Sequence, residues 1–398
     1  MSRRVVIGYY GFQTFFALYI WLPIFYAYQR QMGLDDAQIF GIQGYYYLAF
    51  VILEVPTGFF ADRWGYRNTL QLGALLLFVS QLFAIFQPTY MGFLFHFLLL
   101  ALARSLVSGA ASAYLYEHLK LHGRQTDYKQ LEGNARALGL IAKVIGWSGV
   151  GAMMAWHLSL PYWLTAGAAL IALFVAISLP KLPTQATAQT DMPGWGAYRV
   201  TLASPVLMWL MVIGVGVFVI GRIVQVNLFQ PLLINEGFDI ATHGGIMAAM
   251  TIVEAVGSGR SRWLQKWFDD LGAMLVITIA VVLSMLLMGG LGKIPVIAGL
   301  LLFAWTTGLA FPIQKQLLND AITDSRFRAT ILSIESIVDR AFIGIVAWML
   351  GNFVATGRIN TFLLISAVGV VLVTVLAFAV LRGYLKFRPS RTDSDGGK

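Results

Sequence analysis

Long apolar runs in this chain are interrupted by eight ionisable side chains: Glu54, Arg104, Lys143, Arg222, Glu254, Glu335, Asp339 and Arg340. A charge inside a bilayer is expensive unless it is paired or wetted, so such residues mark a route for ions or polar solutes. The chemistry they suit is proton uptake and release: a carboxylate stays ionised beside a cation and takes a proton when that cation leaves. Glu54 fits that role first, one helical turn from Gly58 and beside Pro56, whose missing N–H interrupts the backbone ladder. Glu254 is the second candidate and Asp339 the third, while Glu335 suits a cap for the first turns of its helix. Arg222 is followed by Gln225 and Asn227, and these three with Tyr46 and Tyr47 form a candidate substrate cavity. The aromatic residues fit lipid and interface positions equally well. No P-loop, Ser-His-Asp order or hydrolase-type carboxylate pair is present, which argues against ATP drive and against an enzyme. The five histidines have no metal-ligand spacing and suit surface or interface positions, and there are no cysteines. No metal and no cofactor are expected, only a proton gradient.

The elements that position these residues are set by composition. Hydrophobic residues make up 58% of the 398 and charged ones 12%, against about 25% charged in soluble domains. Twelve apolar spans are expected, at 5–28, 38–61, 69–87, 91–116, 134–156, 161–179, 205–230, 241–260, 272–290, 294–316, 329–353 and 359–381. The first is read as a retained helix, being too long for a signal peptide. Counted by side, 21 Lys and Arg fall at one face and three (Arg30, Lys293, Arg358) at the other, which puts both termini in the cytoplasm. The net charge of +9 is spread over these short loops, so it reports topology and not nucleic-acid binding. The expected organisation is a six-helix bundle at 1–180, a Pro- and Thr-containing linker at 181–204, a second bundle at 205–382 and a polar tail at 383–398. A shift of 200 residues lays Glu54 over Glu254, a faint parallel repeat.

Between the second and third spans lies Gly58-Phe-Phe-Ala-Asp62-Arg63-Trp-Gly65-Tyr66-Arg67. This segment resembles the signature loop of the major facilitator superfamily, which reads Gly, three residues, Asp, Arg or Lys, one residue, Gly and two basic residues. Only Tyr66 departs from it. Arg104 with Ser108-Gly109 is similar to the superfamily's helix 4 motif, in which the arginine is tied to proton coupling, with Ser108 in the glycine position; the segment from Asn319-Asp320 to Arg328-Ala-Thr-Ile-Leu-Ser333 is similar to that of the superfamily's bacterial twelve-helix drug:proton antiporters. Gly146, Gly149 and Gly151 lack the proline found among such glycines in antiporters, which leaves the direction of transport open.

The resemblance implies an all-α membrane protein with two six-helix halves that rock about a central site. Its gating loop would be Gly58, Asp62, Arg63, Gly65 and Arg67, with Asp62 near the start of the eleventh helix at 329–333. It also implies that the second span faces the eleventh and the fifth faces the eighth. Glu54, Lys143, Glu254, Asp339 and Arg340 would lie roughly 10 to 17 Å from the cytoplasmic helix ends, and Arg104 about 20 Å. Glu54 would then meet Arg340, and Lys143 meet Glu254, across the halves; Glu54 with Arg104 inside one half is the static alternative. Arg222 and Arg104 would be left facing water, which leans toward anionic or zwitterionic substrates. The function implied is proton-coupled export of an amphipathic organic small molecule by a monomer in the bacterial inner membrane, in contact with lipid. A nutrient importer, a lipid or lysolipid translocator and a non-transporting sensor remain alternatives.

Overall fold

The computed structural model describes residues 3–182, 205–268, 270–290, 292–321 and 328–387. Among them the regular structure is helical throughout. The helices are α1 (Arg3–Phe16), α2 (Phe25–Gln31), α3 (Asp36–Trp64), α4 (Tyr66–Phe86), α5 (Tyr90–Lys120), α6 (Tyr128–Ser148), α7 (Val150–Trp156) and α8 (Leu160–Ser178). They continue as α9 (Pro205–Gly214), α10 (Phe229–Asn235), α11 (Ile240–Gly259), α12 (Ser261–Gln265), α13 (Asp270–Met288), α14 (Lys293–Ala321), α15 (Arg328–Ala355) and α16 (Ile359–Phe387). Seven of the described helices are long and apolar enough to cross a membrane, or nine if each of two bent pairs is one span. The chain is therefore a multi-pass membrane protein. Most of the expected linker and tail lie outside the described residues.

Three expected spans are helical without passing that test. Span 9 is a shorter apolar helix, Gly272–Met288. Span 1 is broken: α1 stops at Phe16, and a short 3₁₀ turn, Leu22–Ile24, precedes α2. Pro23 offers no N–H and crowds the residue before it, so a continuous helix cannot form there. Trp21 fills the break, stacking on Tyr162 at 5.5 Å and meeting the edge of His96 at 5.2 Å. Span 7 is widened at Val215–Val219 and Ile223–Leu228, π-helical stretches flanking the helical residues Ile220–Arg222. Pro231 explains the second, because its ring cannot receive the carbonyl four residues back and the ladder must widen there.

The gating segment is helical where a loop was expected. α3 runs through Asp62 and Arg63 to Trp64, and a single residue, Gly65 at φ +87°, turns the chain into α4. That backbone conformation requires glycine. α3 bends by 49° between Asp36–Glu54 and Pro56–Trp64. Its first turn is fixed by a capping box, with Gln38 N donating to Asp35 at 2.8 Å and Asp35 N donating to the Gln38 amide oxygen at 3.1 Å. On α4, Arg67 donates to the Ile177 carbonyl at 2.5 Å and Gln71 to that of Ala176 at 3.3 Å. They satisfy carbonyls that α8 leaves open at its last turn.

Helices up to residue 182 pack mainly on one another, as do those from 205 onward, with two seams between the sets: α3 on α15, and α6–α7 on α11. Small residues make the seams close. A Cβ on Gly151 would stand 2.3 Å from the Ala241 carbonyl oxygen, and one on Gly244 2.0 Å from that of Trp147. On the other seam, a Cβ on Gly351 would stand 2.8 Å from the Phe40 side chain. All three lie in the halves of the helices that the charge bias puts outside. Toward the opposite, inner end, a Cβ on Gly58 or Gly133 meets nothing within 4 Å among the described residues. The molecule is thus closed at its outer end, where the seams bring backbone against backbone.

Candidate functional site

At mid-depth on the α3–α15 seam, Arg340 donates to Glu54, each side chain about a quarter exposed, at 25% and 22%. The Arg340 guanidinium lies 4.1 Å from the centre of the Phe50 ring, one turn before Glu54 on α3. Arg104 of α5 does not join this pair. It donates to the Tyr46 hydroxyl and lies 5.9 Å over Tyr19 and 5.6 Å over Phe50. Aromatic faces and a phenol oxygen thus replace the carboxylate of the static alternative, and they hold Arg104 away from water.

The α6–α11 seam differs from expectation. Lys143 forms no ion pair among the described residues, and Glu254 accepts a hydrogen bond from the Gln225 amide at 2.9 Å. That amide also lies 3.4 Å from the Thr307 hydroxyl. Spacing along a helix sets where a residue falls along its span without fixing which neighbour its side chain turns toward. Near Lys143 and Glu254 stands Arg222, which is exposed. It is within electrostatic reach of Tyr47, Lys143, Glu254 and Asp339, one from each of α3, α6, α11 and α15.

Other candidates are distributed as follows. Tyr46 and Tyr47 are buried, in edge contact at 4.9 Å. Asn227 is fully buried beside Tyr47, so it supports the cavity wall and does not line it. Asp339 is half-buried near Glu335 and Lys315. Glu335 is buried and accepts from Lys315 of α14 at 2.8 and 2.5 Å, a pair inside the second half and not a free helix cap. Asp62 and Arg63 are exposed, and the Tyr66 hydroxyl donates to Asp62 at 3.1 Å. The expected partner of Asp62, 329–333, lies outside the described side chains, as does the exporter-like segment 319–333. No group of three His, Cys, Asp or Glu among the described residues is placed to hold a metal.

A profile of the Major Facilitator Superfamily matches residues 5–334. The chain belongs to the Major Facilitator Superfamily. Its helices superpose on the nucleoside transporter NupG with a TM-score of 0.80 at 17% identity, covering 96% of this chain and 99% of that one. A bacterial homologue of the human lysosomal transporter Spinster, in an inward-facing and unoccupied conformation, gives 0.75 at 14% identity, covering 98% of this chain and 100% of that one. The D-xylose-proton symporter gives 0.69 at 12%, covering 92% and 96%. No protein of curated function matches the sequence. At these identities the likeness is one of fold.

Within this superfamily frame, three residues emerge that the sequence reading left in other roles. Gln230 of α10 reaches the broken first span: its amide oxygen accepts from Tyr26 N at 3.1 Å and Ala27 N at 3.3 Å, and its amide nitrogen donates to the Leu22 carbonyl at 3.1 Å. Arg136, counted among inner basic residues, lies 5.8 Å over Phe311 and within reach of Lys143 and Glu254. Glu132, two residues before the expected start of span 5, accepts from Tyr9 at 2.5 Å and Ser112 at 3.2 Å. Only the break at Pro23 hinted at the first. His96 and His243 are fully buried, not at surfaces; His96 Nδ1 faces the Ser80 carbonyl at 2.8 Å.

Proposed function

We propose that this superfamily member is a proton-coupled transporter of the bacterial inner membrane that exports an amphipathic organic small molecule by alternating access. The observation that carries this reading is the ion pair between Glu54 on α3 and Arg340 on α15, because it joins the two halves at the depth of the cavity. In the inner-open arrangement Glu54 is paired and therefore ionised, the state that follows proton release to the cytoplasm. When the outer end parts, α3 and α15 separate, Arg340 leaves, and an isolated carboxylate in a low-dielectric wall takes up a proton. Re-forming the pair expels that proton inward, and each cycle carries one substrate the other way. Glu254 and Asp339 are reserve carriers, since both lack an ion-pair partner within 4.0 Å among the described residues. The bundles 1–180 and 205–382 would move as the two rocking bodies.

Export is supported by the exporter-like segment 319–333, and proton coupling by the superfamily motif at Arg104. The missing proline among Gly146, Gly149 and Gly151 favours the second reading, import by symport. The deciding experiment is flux in proteoliposomes of known protein orientation, with and without a proton gradient. Glu54→Gln is expected to abolish uphill transport while sparing substrate binding and downhill exchange. Full proton-driven flux in Glu54→Gln, with loss in Glu254→Gln, would move the carrier to the second half. Full coupling in both would end the carboxylate scheme at these two sites and leave Asp339.

A further inference from the structure

The central layer carries more positive charge than its carboxylates neutralise. Two ion pairs are formed in it, Arg340 with Glu54 and Lys315 with Glu335. Arg104, Arg136, Lys143 and Arg222 have no carboxylate within 4.0 Å among the described residues; Glu254 and Asp339 remain to face them, with Glu132 one turn from Arg136 on α6 and hydrogen-bonded to Tyr9 and Ser112. Arg104 and Arg136 are occupied by aromatic rings, at 5.6 to 5.9 Å from the ring centres. Lys143 and Arg222 have no such cover. Glu254, the carboxylate within electrostatic reach of Arg222, is turned to the Gln225 amide at 2.9 Å and so is already hydrogen-bonded on one side. Arg222 is also exposed, in the middle of a membrane protein, on a segment whose π-helical stretches displace it from a regular helical register. π-Bulges recur at functional sites for this reason.

Uncompensated cations at this depth are costly without a counterion. A guanidinium presents a planar fork that matches a carboxylate or phosphate, and an ammonium adds a movable point charge. We infer that Arg222 and Lys143 form the docking point for the negatively charged end of the substrate, which is an organic anion carrying a carboxylate or phosphate. This rests on the cavity being the transport site of the proposed function, and it fixes the charge of the amphipathic cargo. It also replaces Arg104 with Lys143 in the pair expected to meet substrate, because Tyr46, Tyr19 and Phe50 enclose Arg104.

Equilibrium binding to the purified full-length protein in detergent, with no gradient, reads this inference separately from coupling. The probes share one naphthyl body: 1-naphthaleneacetate, 1-naphthyl phosphate, the neutral 1-naphthaleneacetamide, a naphthylmethyl trimethylammonium and the zwitterion naphthylalanine. One or both anions are expected to bind at least ~10-fold more tightly than the neutral, cationic and zwitterionic probes, as a charge-assisted contact requires. Which anion leads distinguishes carboxylate from phosphate. Arg222→Gln and Lys143→Gln should each remove most of that preference, and Arg222→Lys should restore part of it. Melting temperatures without ligand separate loss of binding from loss of fold. Equal or tighter binding of the cation or zwitterion, no binding of either anion at millimolar concentration, or a preference unchanged in well-folded Arg222→Gln overturns the inference. A positive result with no proton-driven flux would leave the charge assignment standing and remove only the coupling.

Discussion

At the scale of single residues, the site works through side chains that belong to one half and act on the other. Gln230 is the clearest case, because it serves backbone groups left open between the break at Leu22–Ile24 and the first turn of α2. Its three bonds serve backbone groups of Leu22, Tyr26 and Ala27. Gln230→Ala leaves those groups unpaired at a cost of about 1–3 kcal/mol each, less where water enters from the outer end. The melting temperature should fall, and a cysteine placed in the outer cleft should label faster. Unchanged labelling would mean that this glutamine supports the fold without holding the outer end shut. Glu335 offers the opposite test. Its partner, Lys315, is about one-third exposed and lies in the same half, so the pair does not report on rocking. Glu335→Gln should lower stability by about 1–3 kcal/mol, discounted from the cost of breaking a fully buried pair, while leaving proton coupling intact. Loss of coupling with unchanged stability would put Glu335 in the proton path.

At the scale of elements, glycine sets how closely the halves approach. Gly244 and Gly151 let α11 touch α6 and α7 backbone to backbone, so a larger residue there has no room at the outer end. Gly244→Val should hold the outer ends apart and shift the population toward outer-open, read as longer spin-label distances across that end. Gly133→Val, where nothing lies within 4 Å among the described residues, is the control and should leave the distances unchanged. Much of this architecture was legible beforehand, because bilayer thickness dictates span length and basic residues mark one face. What sequence did not supply was azimuth and local irregularity. Lys143 and Glu254 share a layer yet turn to different neighbours. The break at Pro23 needed Gln230, two hundred residues away, to satisfy the backbone, and the π-helical stretches of the seventh span gave no periodic signal. Glu132 was set aside because the fifth span was drawn from 134, whereas α6 begins at Tyr128, and Arg136, two residues inside that span, was counted with the inner face.

At the scale of the whole molecule, closure at the outer end and the inner-end separation that the proposed cycle assigns to this arrangement are two readings of one rigid-body coordinate, and some group must favour the reverse arrangement. Asp62 is placed to do so. It lies in the last turn of α3, where a carboxylate faces the negative end of its own helix dipole. In the inner-open arrangement it is exposed, with the Tyr66 hydroxyl donating to it at 3.1 Å. A charge kept where its own helix disfavours it gains only when another helix presents its N-terminus. α15 starts at Arg328, and α3 already packs along α15. Closing the inner end would bring the two termini together and stabilise that state by about 0.3–1 kcal/mol, a roughly two- to fivefold change in population. Asp62→Asn removes the charge while keeping the size and the bond to Tyr66, so it should move the equilibrium further toward inner-open. Spin-label distances between the inner ends of α3 and α15 would then lengthen on average, and proton-driven flux would slow through the return step. High salt should shrink the difference between wild type and variant, since the groups are exposed. A distance distribution that Asp62→Asn leaves unmoved in either direction would remove Asp62 from the gate and leave the Glu54–Arg340 pair as the only charged contact proposed to follow the rocking.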